Sequence, residues 1–335
     1  MRHTPTFNKF LTNVVNLPQH RLDQLETNVD AIFAALVNSD IIGHLVIAKI
    51  PQGSWSHRTI IRPVDDLEFD ADFLLHLEED VNWSANPRSY LIRLEQALRT
   101  HGVYGDMIDD ETKSRCVRVI YANNHHVDIV PYLTLADGRK VIVCRDDNDW
   151  EDTNPERFIS WMQSRDETAN NNLRKVIRLV KYLRDYHDAF PDVPSIIITK
   201  LIGDTITTEN KYNGRYGDVP STLYQVMIDL NYYLQANPYK PTIEDPSGAC
   251  DPQGNPVTFD HRWNDTIYHS FRSKMHHYTT LIKVAYRDSD YKSSMRRWQE
   301  IFGEDFEPTE SVETASSPLG PPVVVPASTS ASRAG

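Results

Sequence analysis

Gly53 and Ser54, the pair Asp70 and Asp72, and the distant Asp128 are the residues whose types and spacing could do chemistry in this chain. Carboxylates at i and i+2 on an extended strand project from one face, because strand side chains alternate with a period of two. Phe69, Ala71 and Phe73 interleave with the two aspartates, so one face of that strand is apolar and the other carries both carboxylates into a shared space. Asp128 stands between Val127 and Ile129, the mark of a second strand buried on its opposite face. Three converging carboxylates repel one another unless a cation neutralises them. Hard oxygen donors suit magnesium, which shares its shell readily with nucleotide phosphates, and manganese is the alternative ion. A Gly-Ser pair lets backbone N–H groups and a hydroxyl come close to phosphate oxygens. Together these parts describe a two-metal site acting on nucleotide phosphates. Surface carboxylates on an edge strand are the plain alternative, and the apolar flanks argue against it.

The elements that must position these residues follow from periodicity. Leu22, Leu25, Val29, Ile32, Phe33 and Leu36 recur at helical spacing and place one or two helices over residues 7–37. A short strand over 45–50 delivers the chain to Gly53, and a second covers 67–77. A helix is expected over 86–100 and strands over 115–121 and 125–132, with Ala122-Asn123-Asn124 as a hairpin link because Asn tolerates positive φ. Asp137-Gly138 turns the chain into Val141-Ile142-Val143. Beyond about residue 155 the pattern becomes helical, with strong amphipathicity over 171–187 and further helices over 195–202, 264–288 and 292–301. A loop rich in Gly, Asn and Pro covers 237–257, and the Pro/Ser/Ala-rich residues from 307 onward read as disordered.

Composition bounds the function. The chain has 335 residues, 40% hydrophobic and 24% charged, as in ordinary globular proteins. Its net charge of -12 opposes a basic surface for long nucleic acid, so no long template is expected. Cys116, Cys144 and Cys250 lack the spacing of a zinc site or a disulfide framework. With no signal-like start and no apolar run long enough to cross a bilayer, the cytoplasm is the expected compartment and no membrane partner is expected. Two histidines beside Asp128, His125 and His126, read as structural.

The runs Gly53-Ser54-Trp55-Ser56-His57-Arg58-Thr59-Ile60-Ile61-Arg62-Pro63 and Glu68-Phe69-Asp70-Ala71-Asp72 resemble the bacterial cGAS/DncV-like nucleotidyltransferases, or CD-NTases, of the DNA polymerase β-like superfamily. Arg178 to Arg184, Val193 to Leu201, Phe259 to Trp263 and Trp298 to Gly303 are similar to later parts of the same group, so the likeness covers residues 7–306. It implies an α+β bilobal fold: a nucleotidyltransferase lobe of small mixed sheet with an N-terminal helix over 1–160, a helical nucleotide-binding lobe over 161–306, and a tail over 307–335. It implies synthesis of a cyclic di- or trinucleotide messenger from nucleoside triphosphates, ATP or GTP foremost, within the anti-phage systems called CBASS. Asp70 and Asp72 would then hold the metal on the triphosphate, and Asp128 would join them at a second metal that lowers the pKa of the attacking ribose hydroxyl.

By spacing alone, Arg174, Arg178 and Lys181 form a basic stripe on the polar side of their helix, which reads as a solvated face. The resemblance turns Lys181 into a triphosphate ligand and leaves the arginines at the surface. Ser195, after Pro194, starts a helix; its hydroxyl reads as a cap, and the resemblance adds a phosphate contact. Arg58 and Thr59 either orient a nucleotide or stabilise a turn. Some CBASS operons encode a ubiquitin-ligase-like enzyme, and a free tail ending in Gly335 fits such a conjugating partner. Two other functions stay open: nucleotide transfer to a tRNA, protein or small-molecule acceptor, and an inactive nucleotide-sensing subunit.

Overall fold

The computed structural model describes residues 1–64, 69–122 and 125–309. Glu68, the Asn123-Asn124 part of the expected hairpin, and the tail from 310 with Gly335 lie outside the described residues.

The first helix, α1 (Thr4–Phe10), carries Pro5 in its first turn, where no intrahelical N–H is needed. It continues through a π turn over Leu11–Val15. The second helix, α2 (Gln19–Val37), buries Leu25, Val29, Ile32 and Leu36 on one stripe. Then come β1 (Val46–Gln52), the single turn α3 (Gly53–Ser56), β2 (Phe69–Leu77) and α4 (Arg88–Arg99). Four strands follow: β3 (Val117–Tyr121), β4 (His125–Thr134), β5 (Lys140–Cys144) and β6 (Asp149–Asp152).

The strands form one mixed sheet in the order β1-β2-β4-β5-β6, with β3 also paired to β4. Strands β2 and β4 run parallel; the other pairs are antiparallel. Alternation divides the sheet's faces cleanly. Ala71, Phe73, Leu75, Val127, Ile129, Val117 and Val119 pack into one core with residues of α2 and α4. Leu74, Val130 and Tyr132 lie on the other face with Ile50, Cys116 and Ile142 against them, and Asp72 and Asp128 belong to this second face by period. The strand β6 was not expected. Three of its four residues are acidic, and only pairing with β5 makes it a strand.

The remaining elements are helical: α5 (Pro155–Thr168), α6 (Leu173–Tyr186), α7 (Ser195–Asp204), α8 (Thr208–Tyr212), α9 (Val219–Ala236), α10 (Asp265–Arg287) and α11 (Tyr291–Phe302). Polar side chains at the N-caps Asn154, Thr207, Asp218, Asn264 and Asp290 accept a backbone N–H of the first turn, which fixes where five of these helices begin. The helix α9 was not expected. Its stripe of Leu223, Val226, Met227, Leu230 and Leu234 has helical period, but Tyr224, Tyr232 and Tyr233 extend apolar character round the helix and blur it.

The first helix packs differently from the expected division of the chain. Phe7, Phe10, Leu11 and Val15 belong to the helical lobe's core rather than the sheet's. Phe7 meets Trp298 edge-on at 4.9 Å and Phe306 at 4.8 Å, and four aromatic rings closing on one another outweigh proximity in sequence. No helix among the described residues is long and apolar enough to cross a membrane.

Candidate active site

A cleft of about 880 Å³ separates the carboxylate face of the sheet from the helical lobe, with Gly53, Asp72, Asp128, Lys181, Ser195 and Phe259 among its walls. Strand β1 ends at Gln52, which pairs with Asp72 across the sheet. Gly53 then turns the chain with φ +59°. A Cβ at this position would collide with the Asp72 Oδ2 oxygen. Only glycine permits both the left-handed turn and this approach of backbone to carboxylate. Ser54 follows on α3, and its carbonyl accepts the Thr59 N–H at 2.8 Å, closing the loop on itself.

Asp72 and Asp128 are direct register partners on the parallel strands β2 and β4, and Asp70 sits two residues before Asp72 on the same strand face. The structure therefore brings the three expected carboxylates to one wall of the cleft. Asp72 retains an opening to the cleft but is crowded by protein. Burial, with the charges of Asp70 and Asp128 added, pushes its carboxyl up to about 7, against the opposing pull of Arg118 and Lys181. A carboxylate disfavoured in this way is relieved by a cation, and the donor chemistry of Asp70 and Asp72 fits a divalent ion.

Asp128 is held otherwise. Both its oxygens are engaged by Arg118, Nε to Oδ1 at 2.7 Å and Nη2 to Oδ2 at 2.8 Å. Accordingly, no group of three or more His, Cys, Asp or Glu side chains among the described residues is arranged to hold a metal. Asp70 and Asp72 fit the implied ion as they stand, whereas at Asp128 the ion would compete with Arg118 for the two oxygens. Arg118 lies outside the sequence motifs; its cross-strand register with Asp128 is what brings it here.

The basic residues of α6 correct the sequence reading. Lys181 is buried, 6% exposed, and its Nζ donates to the Thr59 carbonyl at 3.0 Å. Burial, reinforced by Arg184, pushes its ammonium down to about 8 against the attraction of Asp70, Asp185 and Asp72. Arg178 is half-buried and donates to the Arg58 carbonyl at 2.7 Å, and Arg174 is paired with Asp166 at 2.8 Å. Arg178 and Lys181 thus turn to the carbonyls of the Arg58–Thr59 turn, and Arg174 to Asp166 of α5, rather than to solvent alone. Arg58 itself adopts φ +55°, and Thr59 is buried. Both present carbonyls to the helix, which is the turn-supporting role of the two readings.

Ser195 opens α7 beside the cleft, but Pro194 is the N-cap and the Ser195 hydroxyl accepts from Arg184 at 3.2 Å. It is a cleft residue held by an arginine rather than a helix cap. His57, not expected in the site, is buried against Phe158 with its Nδ1 unpartnered. Burial and the nearby Arg174 and Lys181 push it down to about 4, so it stays neutral. His125 accepts or donates to Asn28 at 2.8 Å and stacks on Tyr121, which agrees with a structural role. Burial and Asp128 push the Cys116 thiol well above its ordinary range, so it is no nucleophile at the cleft. Arg262, on the opposite wall, feels the charges of Arg115, Glu151, Asp72 and Asp245.

Comparison with known proteins agrees with this geometry. Residues 1–166 match the family model described as the Second Messenger Oligonucleotide or Dinucleotide Synthetase domain. The chain is similar to a c-di-GMP synthase of Roseivirga ehrenbergii, 24% identical over 219 residues, covering 57% of this chain and 57% of that protein. It is also similar to a cyclic AMP-AMP-AMP synthase of an Acinetobacter species, 21% identical over 269 residues, covering 79% of this chain and 74% of the other. Among solved structures, the Vibrio cholerae DncV cyclic AMP-GMP synthase in complex with nonhydrolyzable GTP superposes with a TM-score of 0.71 at 15% identity, covering 91% and 97% of the two chains. That likeness establishes the polymerase β-like nucleotidyltransferase fold.

Proposed function

We propose, for a chain that belongs to the CD-NTase group of polymerase β-like nucleotidyltransferases, that it condenses nucleoside triphosphates into a cyclic di- or trinucleotide. One observation carries the reading: Asp70, Asp72 and Asp128 share one cleft face on paired parallel strands, with Gly53 pressed against Asp72.

Asp70 and Asp72, joined by Asp128, would hold magnesium, which when bound supplies charge to the triphosphate and acidifies the attacking ribose hydroxyl. Lys181 meets the triphosphate tail. Among the described residues its ammonium donates to the Thr59 carbonyl alone, which leaves two of its three donors for phosphate oxygens. The Ser54 backbone and hydroxyl border the same space, and Ser195 lies across the cleft from them. Departing pyrophosphate is stabilised by that lysine as its charge grows. The cleft, about 880 Å³, lies at the upper end of the ~300–1,000 Å³ of small-molecule sites. The apolar side chains of Val130, Ile142 and Phe259 provide surface for bases. The division of labour follows the lobes, with carboxylates on the sheet lobe and the phosphate-tail cation on the helical one. A messenger made in this way would serve the anti-phage signalling implied by the sequence resemblance.

The test is incubation with labelled triphosphates and magnesium, with no acceptor added. The expected product resists phosphatase, is cut by phosphodiesterase, and is absent with Asp70→Asn/Asp72→Asn. Absence of product here, with label incorporated only in a parallel reaction to which a tRNA or protein acceptor is added, would refute the reading, as would equal product from the double variant.

A further inference from the structure

We propose that Arg118 is a positioning residue that holds Asp128 in reserve and yields it only when a divalent cation enters the cleft, so that it sets the metal concentration at which the site assembles. The inference rests on reading Asp70, Asp72 and Asp128 as cation ligands.

Arg118 and Asp128 face each other directly across the antiparallel β3–β4 pair. Their two hydrogen bonds, 2.7 and 2.8 Å, occupy both carboxylate oxygens in the two-pronged geometry that guanidinium alone provides. The pair is only partly shielded, with side-chain exposures of 25% for Arg118 and 11% for Asp128, so it is strong enough to persist and weak enough to exchange.

Asp128 is also the register partner of Asp72, and the two charges act on each other. Without a cation the guanidinium supplies the positive charge this wall needs. A divalent ion held by Asp72 and Asp128 would compete with Arg118 for the charge of the Asp128 oxygens, since each already accepts one N–H from the guanidinium. The freed guanidinium has a second carboxylate within electrostatic reach, Asp109, whose backbone N–H already donates to the Arg118 carbonyl at 3.0 Å. The two line a small crevice together with Lys113 and Arg145. Arg118 does not line the cleft itself, so its influence on the reaction passes through Asp128.

The experiment is calorimetric titration of manganese into the full chain with a nonhydrolysable nucleoside triphosphate, for wild type, Arg118→Met, Arg118→Lys and Asp128→Asn, with and without the Met substitution. Losing the grip is expected to tighten manganese binding on the order of tenfold in Arg118→Met. Arg118→Lys keeps the charge but not the two-pronged contact, and it is expected to tighten binding as well. In the Asp128→Asn background Arg118→Met is expected to change nothing. Product formation should reach half-maximum at lower metal in both arginine variants, with the rate at saturating metal retained.

Wild-type affinity in Arg118→Lys beside tighter binding in Arg118→Met would reduce the effect to net charge and overturn the proposal. Unchanged affinity in both variants would also overturn it. Should Arg118→Met fail to fold, the Lys variant and its double with Asp128→Asn decide the matter by the same criteria. The underlying reading fails separately: manganese binding that survives Asp70→Asn/Asp72→Asn would remove the carboxylates as ligands, whatever Arg118 does.

Discussion

Lys181→Met should make the protein more stable while removing its grip on nucleotide. The ammonium is buried and, among the described residues, makes one hydrogen bond, to the Thr59 carbonyl. Its pKa is pushed down from 10.5 to about 8, and at about 1.4 kcal/mol per tenfold that gap costs the folded state about 3 kcal/mol at pH 7. Methionine fills nearly the same volume without the charge, and leaving the Thr59 carbonyl unpaired returns about 1 kcal/mol. The net gain of about 2 kcal/mol should raise the midpoint of thermal unfolding by roughly 3 °C in a chain of 335 residues.

The pH dependence has a definite sign. Because the folded-state pKa is depressed, wild type carries the full penalty below about 8 and sheds it as pH rises towards 10.5. The advantage of the Met variant is therefore greatest at neutral pH and shrinks across that window. Nucleotide acts in the opposite direction. A nonhydrolysable triphosphate with magnesium at a hundred times its dissociation constant should stabilise wild type by about 2.7 kcal/mol, and it should leave the Met variant nearly unmoved. Thermal melts with and without nucleotide, at pH 7 and pH 10, read all of this. A Met variant that melts below wild type at pH 7, or that keeps the wild-type response to nucleotide, would refute the account of Lys181.

Other expectations are simpler. Asp72→Asn should abolish product and raise the melting point of the nucleotide-free protein, because it removes a carboxylate that burial and two neighbouring charges disfavour. Gly53→Ala should cost about 1–2 kcal/mol for the left-handed turn and lower product formation by at least tenfold, since the new methyl displaces the Asp72 carboxylate. Denaturant unfolding and product assays check both substitutions. Trp298→Ala should destabilise by about 3–5 kcal/mol, and removing residues 1–16 should destabilise the same lobe, because Phe7 and Trp298 share one aromatic core.

Much of the sheet lobe was legible because a strand half-facing a core writes its geometry into alternate residues. Ala71 and Phe73 on one side of β2 and Asp72 on the other left little choice of face. The helices α6, α10 and α11 were visible through their stripes, with ends that differ from expectation by only a few residues, and the stripe of α2 was visible within a longer helical span over 7–37 that did not mark its start at Gln19. Strand β6 was not visible, since its acidic residues become extended only through β5. The polar stripe of α6 could not be told from a solvated face, because nothing local to Lys181 records that the Arg58–Thr59 turn folds over it.

The linear chain by itself determined which residues could carry chemistry: two carboxylates on one strand face, a third on another strand, and a glycine that permits close approach. Those follow from period and side-chain type, which are local. Only the tertiary structure decided that Arg118 takes both oxygens of Asp128, that α1 joins the helical core, and that Lys181 is a desolvated cation rather than a surface one. Each depends on which element lies against which, and burial and cross-strand register are properties of contacts between segments that the order of residues along the chain does not contain.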